Sequence, residues 1–155
     1  MVTESPGTDP HCSASIGDCR WIELPVFPDQ NGNLAVYDNR HAESMFRVER
    51  VFFLYDVPSM ASRGGHSSFT TSQLLLAVNG SFDVTVDDGH YRETHHIDKP
   101  NRGLLIPAGI WRELDKFTPG AVCLVLASTR FAEEDYVRDY MRFLTLSQYK
   151  QRRDT

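Results

Sequence analysis

Leu74-Leu75-Leu76-Ala77-Val78-Asn79-Gly80-Ser81-Phe82-Asp83-Val84-Thr85-Val86-Asp87-Asp88-Gly89 decides the fold. Its first five residues form a continuous apolar run that stops at Asn79-Gly80, a turn pair. From Phe82 to Val86 apolar and polar residues alternate, as on a strand with one buried face. That run stops at Asp87-Asp88-Gly89, where Asp and Gly accept the backbone angles of a tight hairpin. Outward from this pair, Tyr91–Ile97, Gly103–Ile106 and Val122–Leu126 read as further strands. Upstream lie Trp21–Leu24, a turn over residues 28–33, Leu34–Tyr37 and the β-branched, aromatic stretch Phe46–Tyr55. Many short strands with almost no helical periodicity predict an all-β barrel or sandwich. The exception is the C-terminus, where Glu133-Glu134-Asp135-Tyr136 leads into a helical turn or two through Phe143. Its acidic residues suit a helix N-terminus.

Residues 1–17 are rich in Ser, Thr, Pro and Gly and read as a mobile leader, residues 18–147 as one barrel domain, and residues 148–155 as a polar tail. At 155 residues the chain is large enough for a real core. A formal net charge of -5 argues against a nucleic-acid binder held by counterion release. It leaves room for a local basic cluster that reads a phosphorylated small molecule. Cys12, Cys19 and Cys123 are odd in number and lack metal spacing, which fits a reducing cytoplasm. No signal-peptide order and no membrane-length apolar run are visible, so neither export nor a membrane partner is expected.

A second stretch carries the chemistry. His66-Ser67-Ser68, followed by Gln73 and Gly80, has the spacing of the first metal motif of the cupins. In metal-binding cupins that motif supplies His, His and Glu, and a second motif supplies another His. Here the second His is Ser68 and the Glu is Gln73, while Pro107-Ala108-Gly109-Ile110-Trp111-Arg112 ends in Arg. A hydroxyl, an amide and a guanidinium do not replace transition-metal ligands, so no metal and no cofactor are expected. Strand alternation puts His66 and Ser68 on one face, which in a small barrel points into the lumen. Gln73 can reach the same space. Arg63, across a glycine pair from His66, is either a solvated loop residue or a phosphate contact. Arg112 is either a second anionic clamp or the ion-pair partner of Glu113. Trp111 reads as core, and His90, His95 and His96 as surface residues of a polar hairpin.

Several segments together resemble the dTDP-4-keto-6-deoxyglucose 3,4-ketoisomerases, the FdtA/WxcM-like group of cupins. They include Cys19-Arg20-Trp21-Ile22-Glu23-Leu24-Pro25, Val48–Pro58, Arg63-Gly64-Gly65-His66 and Asn79–Val84. Pro107–Leu114, Val125–Ser128 and Asp135-Tyr136-Val137-Arg138-Asp139-Tyr140 complete the set, in order along nearly the whole domain. The resemblance implies a metal-free cupin jelly-roll barrel that forms a homodimer and binds a dTDP-sugar. It implies a reaction that moves a ketone from C4 to C3 of the sugar through an enediol, with His66 as the base and Arg63 as a sugar-nucleotide contact. Histidine suits this because its pKa lies near neutrality.

The chain departs from that pattern. The family's strand reads His-x-His-Lys, against His66-Ser67-Ser68-Phe69 here, and its tyrosine corresponds to Phe52. Tyr55 is near in sequence and is taken as a substrate contact, although alternation sets it opposite Phe52. Ser68 is taken as a relay through water, since a hydroxyl is no base near pH 7 without an activator. Three readings follow: a working ketoisomerase using His66 with Ser68, a repurposed cupin isomerase or cyclase acting on a non-nucleotide compound, or a non-catalytic ligand-binding relative.

Overall fold

The alternation at Phe82–Val86 becomes a strand whose Phe82, Val84 and Val86 are fully buried, each worth about 1.5–3 kcal/mol of transfer free energy. It is one of twelve strands that, with one α-helix and short 3-10 turns, give the regular structure of the described residues, 14–40 and 45–152 of this computed structural model. In chain order these are β1 (Arg20–Glu23), β2 (Val26–Asp29), β3 (Gly32–Ala35), β4 (Arg50–Leu54), β5 (Arg63–Ser68) and β6 (Gln73–Asn79). There follow β7 (Phe82–Asp87), β8 (Arg92–Ile97), β9 (Arg102–Ile106), β10 (Trp111–Asp115), β11 (Val122–Ala127), β12 (Tyr136–Val137) and α1 (Tyr140–Gln151).

Two five-stranded antiparallel sheets, ordered β1-β9-β6-β11-β4 and β12-β5-β10-β7-β8, face each other in the cupin manner. Their inner faces share one core, with Leu75, Leu104, Ile106 and Val125 from the first sheet against Phe82, Val84, Ile97 and Leu114 from the second. The apolar run of β6 has a simple cause: both of its faces are covered. Leu75 and Ala77 face the inner core, while Leu74 and Leu76 pack outward under Ile22, Leu24, Tyr37 and Phe46. Outside the second sheet, Trp111, Val137 and Phe143 form a third cluster that docks α1.

Several expectations change. The acidic run does not begin the helix: residues 133–135 form a separate 3-10 turn, and Asp135 instead accepts hydrogen bonds from the Thr70 backbone and hydroxyl. The helix starts after β12, where the Asp139 carboxylate caps the Arg142 N–H. It runs to Gln151, so residues 148–151, assigned to a polar tail by composition, are helical. The Phe46–Tyr55 stretch is a strand only over Arg50–Leu54. Strands β10 and β12 were not recognised from local pattern. Most of the expected leader, and Cys12 with it, falls outside the described residues, and the part from Ser15 is ordered as a capped 3-10 turn. Trp111 is core as read, and Cys123 is fully buried. His96 is exposed, but His95 is half-buried edge-on against Trp21.

Candidate active site

The Gly64-Gly65 pair decides where His66 points. Both glycines have positive φ (79° and 68°), and a Cβ on Gly64 would sit 2.9 Å from the Arg112 carbonyl oxygen. Across β5 and β10, Arg63 pairs with Leu114 and Gly64 with Glu113, but Arg112 pairs with His66. Two residues of β5 therefore oppose one of β10, which is a β-bulge. In an unbroken register His66 would face Trp111 and lie under α1. The bulge turns it to the inner face beside Arg112.

A cavity of about 570 Å³ opens there between the sheets. Its wall takes Arg50, Phe52 and Leu54 from β4, Arg63 and His66 from β5, Gln73 from β6, Arg112 from β10 and Tyr136 from β12, with Phe131 and Arg138 at the same site. Four arginines and, among the described residues, no carboxylate line it. In a chain with a net charge of -5, this concentration of positive charge is a local design for an anionic ligand.

The His66 ring is half-buried with both nitrogens shielded from solvent, and neither nitrogen makes a well-formed hydrogen bond. Burial first, and the Arg112 charge second, hold its pKa down to about 4 against an ordinary value of 6.5. The imidazole is therefore neutral at pH 7 and free to accept a proton. Its ring lies edge-on to Tyr136, with centroids 5.0 Å apart. Arg112 is 1% exposed, and its Nη atoms donate to Gln73 Oε1 at 2.7 Å and Ile110 O at 2.9 Å. Burial lowers it to about 10, so it stays charged at neutral pH. Arg112 Nε, Arg50 Nε and Gln73 Nε2 are buried without partners. Each such orphan costs about 1–3 kcal/mol, and an acceptor on a bound ligand would offset that cost.

The expected site residues separate. His66, Arg63, Gln73 and Arg112 all line the cavity. Arg112 is not the partner of Glu113, whose carboxylate on the opposite face takes Arg92 Nη2 at 2.6 Å and Trp111 Nε1 at 2.9 Å. Ser68 shares the inward side of β5 but does not line the cavity: it is 1% exposed and its hydroxyl donates to Thr71 O. It sits opposite Tyr136 in the β12–β5 pairing. Tyr55 is corrected outright, since it is 61% exposed with its ring against Phe53 on the outer side. The period of two from Phe52 puts it there. Missed from the sequence were Arg50, Phe131, Tyr136 and Arg138. Arg50 opens the inward alternation Arg50-Phe52-Leu54, a signal that was present in the pattern.

Cationic side chains surround the neutral imidazole, so the cavity suits proton transfer at carbon next to a carbonyl on an anionic carrier. As a metal site it offers one imidazole, an amide and guanidinium groups, and among the described residues no three metal-ligating side chains converge.

Comparison with known proteins agrees. The FdtA family model (WxcM-like, C-terminal) matches residues 17–148. The TDP-4-oxo-6-deoxy-alpha-D-glucose-3,4-oxoisomerase of Aneurinibacillus thermoaerophilus is 34% identical over 123 residues, which is 79% of this chain and 87% of that protein. A crystal structure of a 3,4-ketoisomerase from Helicobacter canadensis superposes with a TM-score of 0.80 at 32% identity, covering 84% of this chain and 98% of the other. A histidine-to-asparagine variant of the Thermoanaerobacterium thermosaccharolyticum 3,4-ketoisomerase, in complex with TDP-4-keto-6-deoxyglucose, gives 0.81 at 28% identity, covering 85% and 95%. This chain belongs to the FdtA, WxcM-like family of sugar-nucleotide 3,4-ketoisomerases.

Proposed function

We propose that this chain binds a dTDP-linked 4-keto-6-deoxysugar in the cavity between the sheets and moves the ketone from C4 to C3 without a metal. One observation carries the reading: a neutral imidazole without a well-formed hydrogen bond stands in a wall with four arginines and, among the described residues, no carboxylate. The arginines meet the diphosphate and the oxygen on which enolate charge grows, and His66 takes the C3 proton. Hydrogen exchange at C3 in deuterated water, followed by NMR, is the direct test. The unmodified protein exchanges that hydrogen and forms the 3-keto sugar, with chelators present or absent. His66→Asn lowers both by about a thousandfold while TDP still binds. Full activity in that variant overturns the assignment.

A second reading rests on Phe52 standing inside the cavity and the Ser68 hydroxyl lying outside it. These changes favour a repurposed isomerase or cyclase with a less charged substrate, or a ligand-binding relative. TDP that fails to raise the melting temperature would favour that reading.

The chain works as a homodimer in this proposal. Hairpin β2–β3 is a separate sheet with every residue exposed, including Phe27 at 60% and Leu34 at 61%. Edge strand β4 shows Val51 and Phe53 on its outer side, each 57% exposed. Such apolar exposure at an edge fits cover by a second copy. Light scattering should give twice the chain mass, and Phe27→Asp with Leu34→Asp should halve it. No helix among the described residues is long and apolar enough to cross a membrane, and the unpaired Cys19 and Cys123 fit work in the reducing cytoplasm.

A further inference from the structure

Moving a ketone between neighbouring carbons needs two kinds of proton transfer, one at carbon and one between the two oxygens. His66 serves the first. For the second, the cavity wall has only two hydroxyl-bearing side chains among the described residues, Ser62 and Tyr136. Ser68 is tied to the Thr71 carbonyl and lies outside the wall, and Phe52 has no hydroxyl.

Tyr136 is built into the site in three ways. Its backbone pairs with Ser68, so the phenol projects from the position directly opposite that small residue, on the same face as His66. Its ring contacts the His66 ring at 5.0 Å between centroids. Its oxygen accepts a hydrogen bond from Arg50 Nη2 at 2.7 Å. With that oxygen already accepting from a guanidinium, its own proton is left to point elsewhere. The Arg50 guanidinium is in turn held between the Phe52, Phe131 and Tyr136 rings, at 5.3, 5.5 and 5.8 Å from their centroids.

We infer that Tyr136 is a catalytic residue of this chain, the group that carries the proton between the C4 and C3 oxygens while His66 works at carbon. The inference rests on the ketoisomerase reading. His66 removes the C3 proton, the C–H electron pair becomes the C3–C4 double bond, and the C4 carbonyl pair moves onto its oxygen. Tyr136 gives its phenolic proton to that oxygen, and the phenolate takes the proton of the C3 hydroxyl. The C3 oxygen pair then forms the new carbonyl as the double-bond pair takes a proton at C4 from the His66 imidazolium. Phenol and imidazole return to their starting states, and no co-reactant is consumed. Arg50 is a positioning residue for the phenol oxygen.

The test separates the two transfers. Tyr136→Phe deletes one oxygen and keeps the ring contacts. Its C3 hydrogen should still exchange with deuterated water within about tenfold of the unmodified protein, while 3-keto product forms about a hundredfold more slowly. TDP affinity by calorimetry should stay within about threefold, because the phenol is assigned to chemistry and not to the carrier. Product formation at the unmodified rate overturns the assignment. So does loss of C3 exchange together with product, or loss of TDP binding, either of which would give the phenol a different task. If the unmodified protein forms no 3-keto sugar and its C3 hydrogen is neither exchanged nor moved to C4, the ketoisomerase reading fails and takes this assignment with it. A normal rate in Tyr136→Phe defeats this assignment alone.

Discussion

Strand β10 treats its two faces in opposite ways. On the outer face, Glu113 and the buried Asp87 share Arg92, Asp87 also accepts from the Tyr140 hydroxyl at 2.8 Å, and Trp111 donates to Glu113. That network joins β7, β8, β10 and α1, and every charge in it meets an opposite charge. On the inner face, the next residue, Arg112, is buried against an amide and a carbonyl, with no carboxylate of the described residues bonded to it. The outer carboxylates share a cation within the chain, whereas the inner cation has only neutral hydrogen-bond partners among the described residues, as the proposed binding site requires. A structural network and a binding site therefore differ less in residue type than in whether the counter-charge is supplied internally.

Arg112→Met should separate the two faces most strongly. A buried cation with only neutral partners contributes little to folding, so the melting temperature should hold or rise. Turnover should fall by about 10²–10³, the cost of removing one preorganised charge from the growing oxyanion. A variant that melts much lower but retains activity would move Arg112 into the structural class. Acid titration is next in size. The folded His66 has a pKa near 4 and the unfolded one about 6.5, so between those values only the unfolded chain takes up the proton. Stability from this group is complete above pH 6.5 and is lost as pH falls toward 4, by up to about 3 kcal/mol. Denaturant melts of the unmodified protein and of His66→Asn across that window should diverge in this sense; parallel curves would refute the buried neutral imidazole. The smallest effect belongs to the outer face. Arg92→Met should cost about 1 kcal/mol in urea melts and leave turnover unchanged, since Asp87 keeps the Tyr140 and Gly89 hydrogen bonds.

What could be read from the chain was the part that local pattern controls. The Phe82–Val86 alternation and the turns on either side of it report their own strand, because burial of one face repeats every second residue. The same rule tied His66 to Ser68, and the expected lumenal face is the one His66 takes, but alternation alone does not select it. That depends on the unequal count of residues across β5 and β10, a property of the pair. Tyr136 and Arg138 were hidden for a related reason. Strand β12 has two residues, too few for any period, and it exists because β5 pairs with it some seventy residues away. Ser68 fits the spacing of a catalytic position, yet the loop after β5 gives its hydroxyl a carbonyl to bind. Tyr55 was misplaced by proximity in sequence where alternation already argued against it.

The glycine pair at 64 and 65 has a consequence for how this site can change. The aim of the imidazole is set by main-chain geometry two residues away, so the base could be exchanged for another side chain and still be presented to the cavity. A side chain at either glycine would act differently, straining the positive-φ backbone that makes the bulge; in the unbroken register residue 65, and not His66, stands opposite Arg112. Variation at 64 and 65 would then turn the imidazole away with every other wall side chain intact, whereas variation at 66 would explore new chemistries on an unchanged mount.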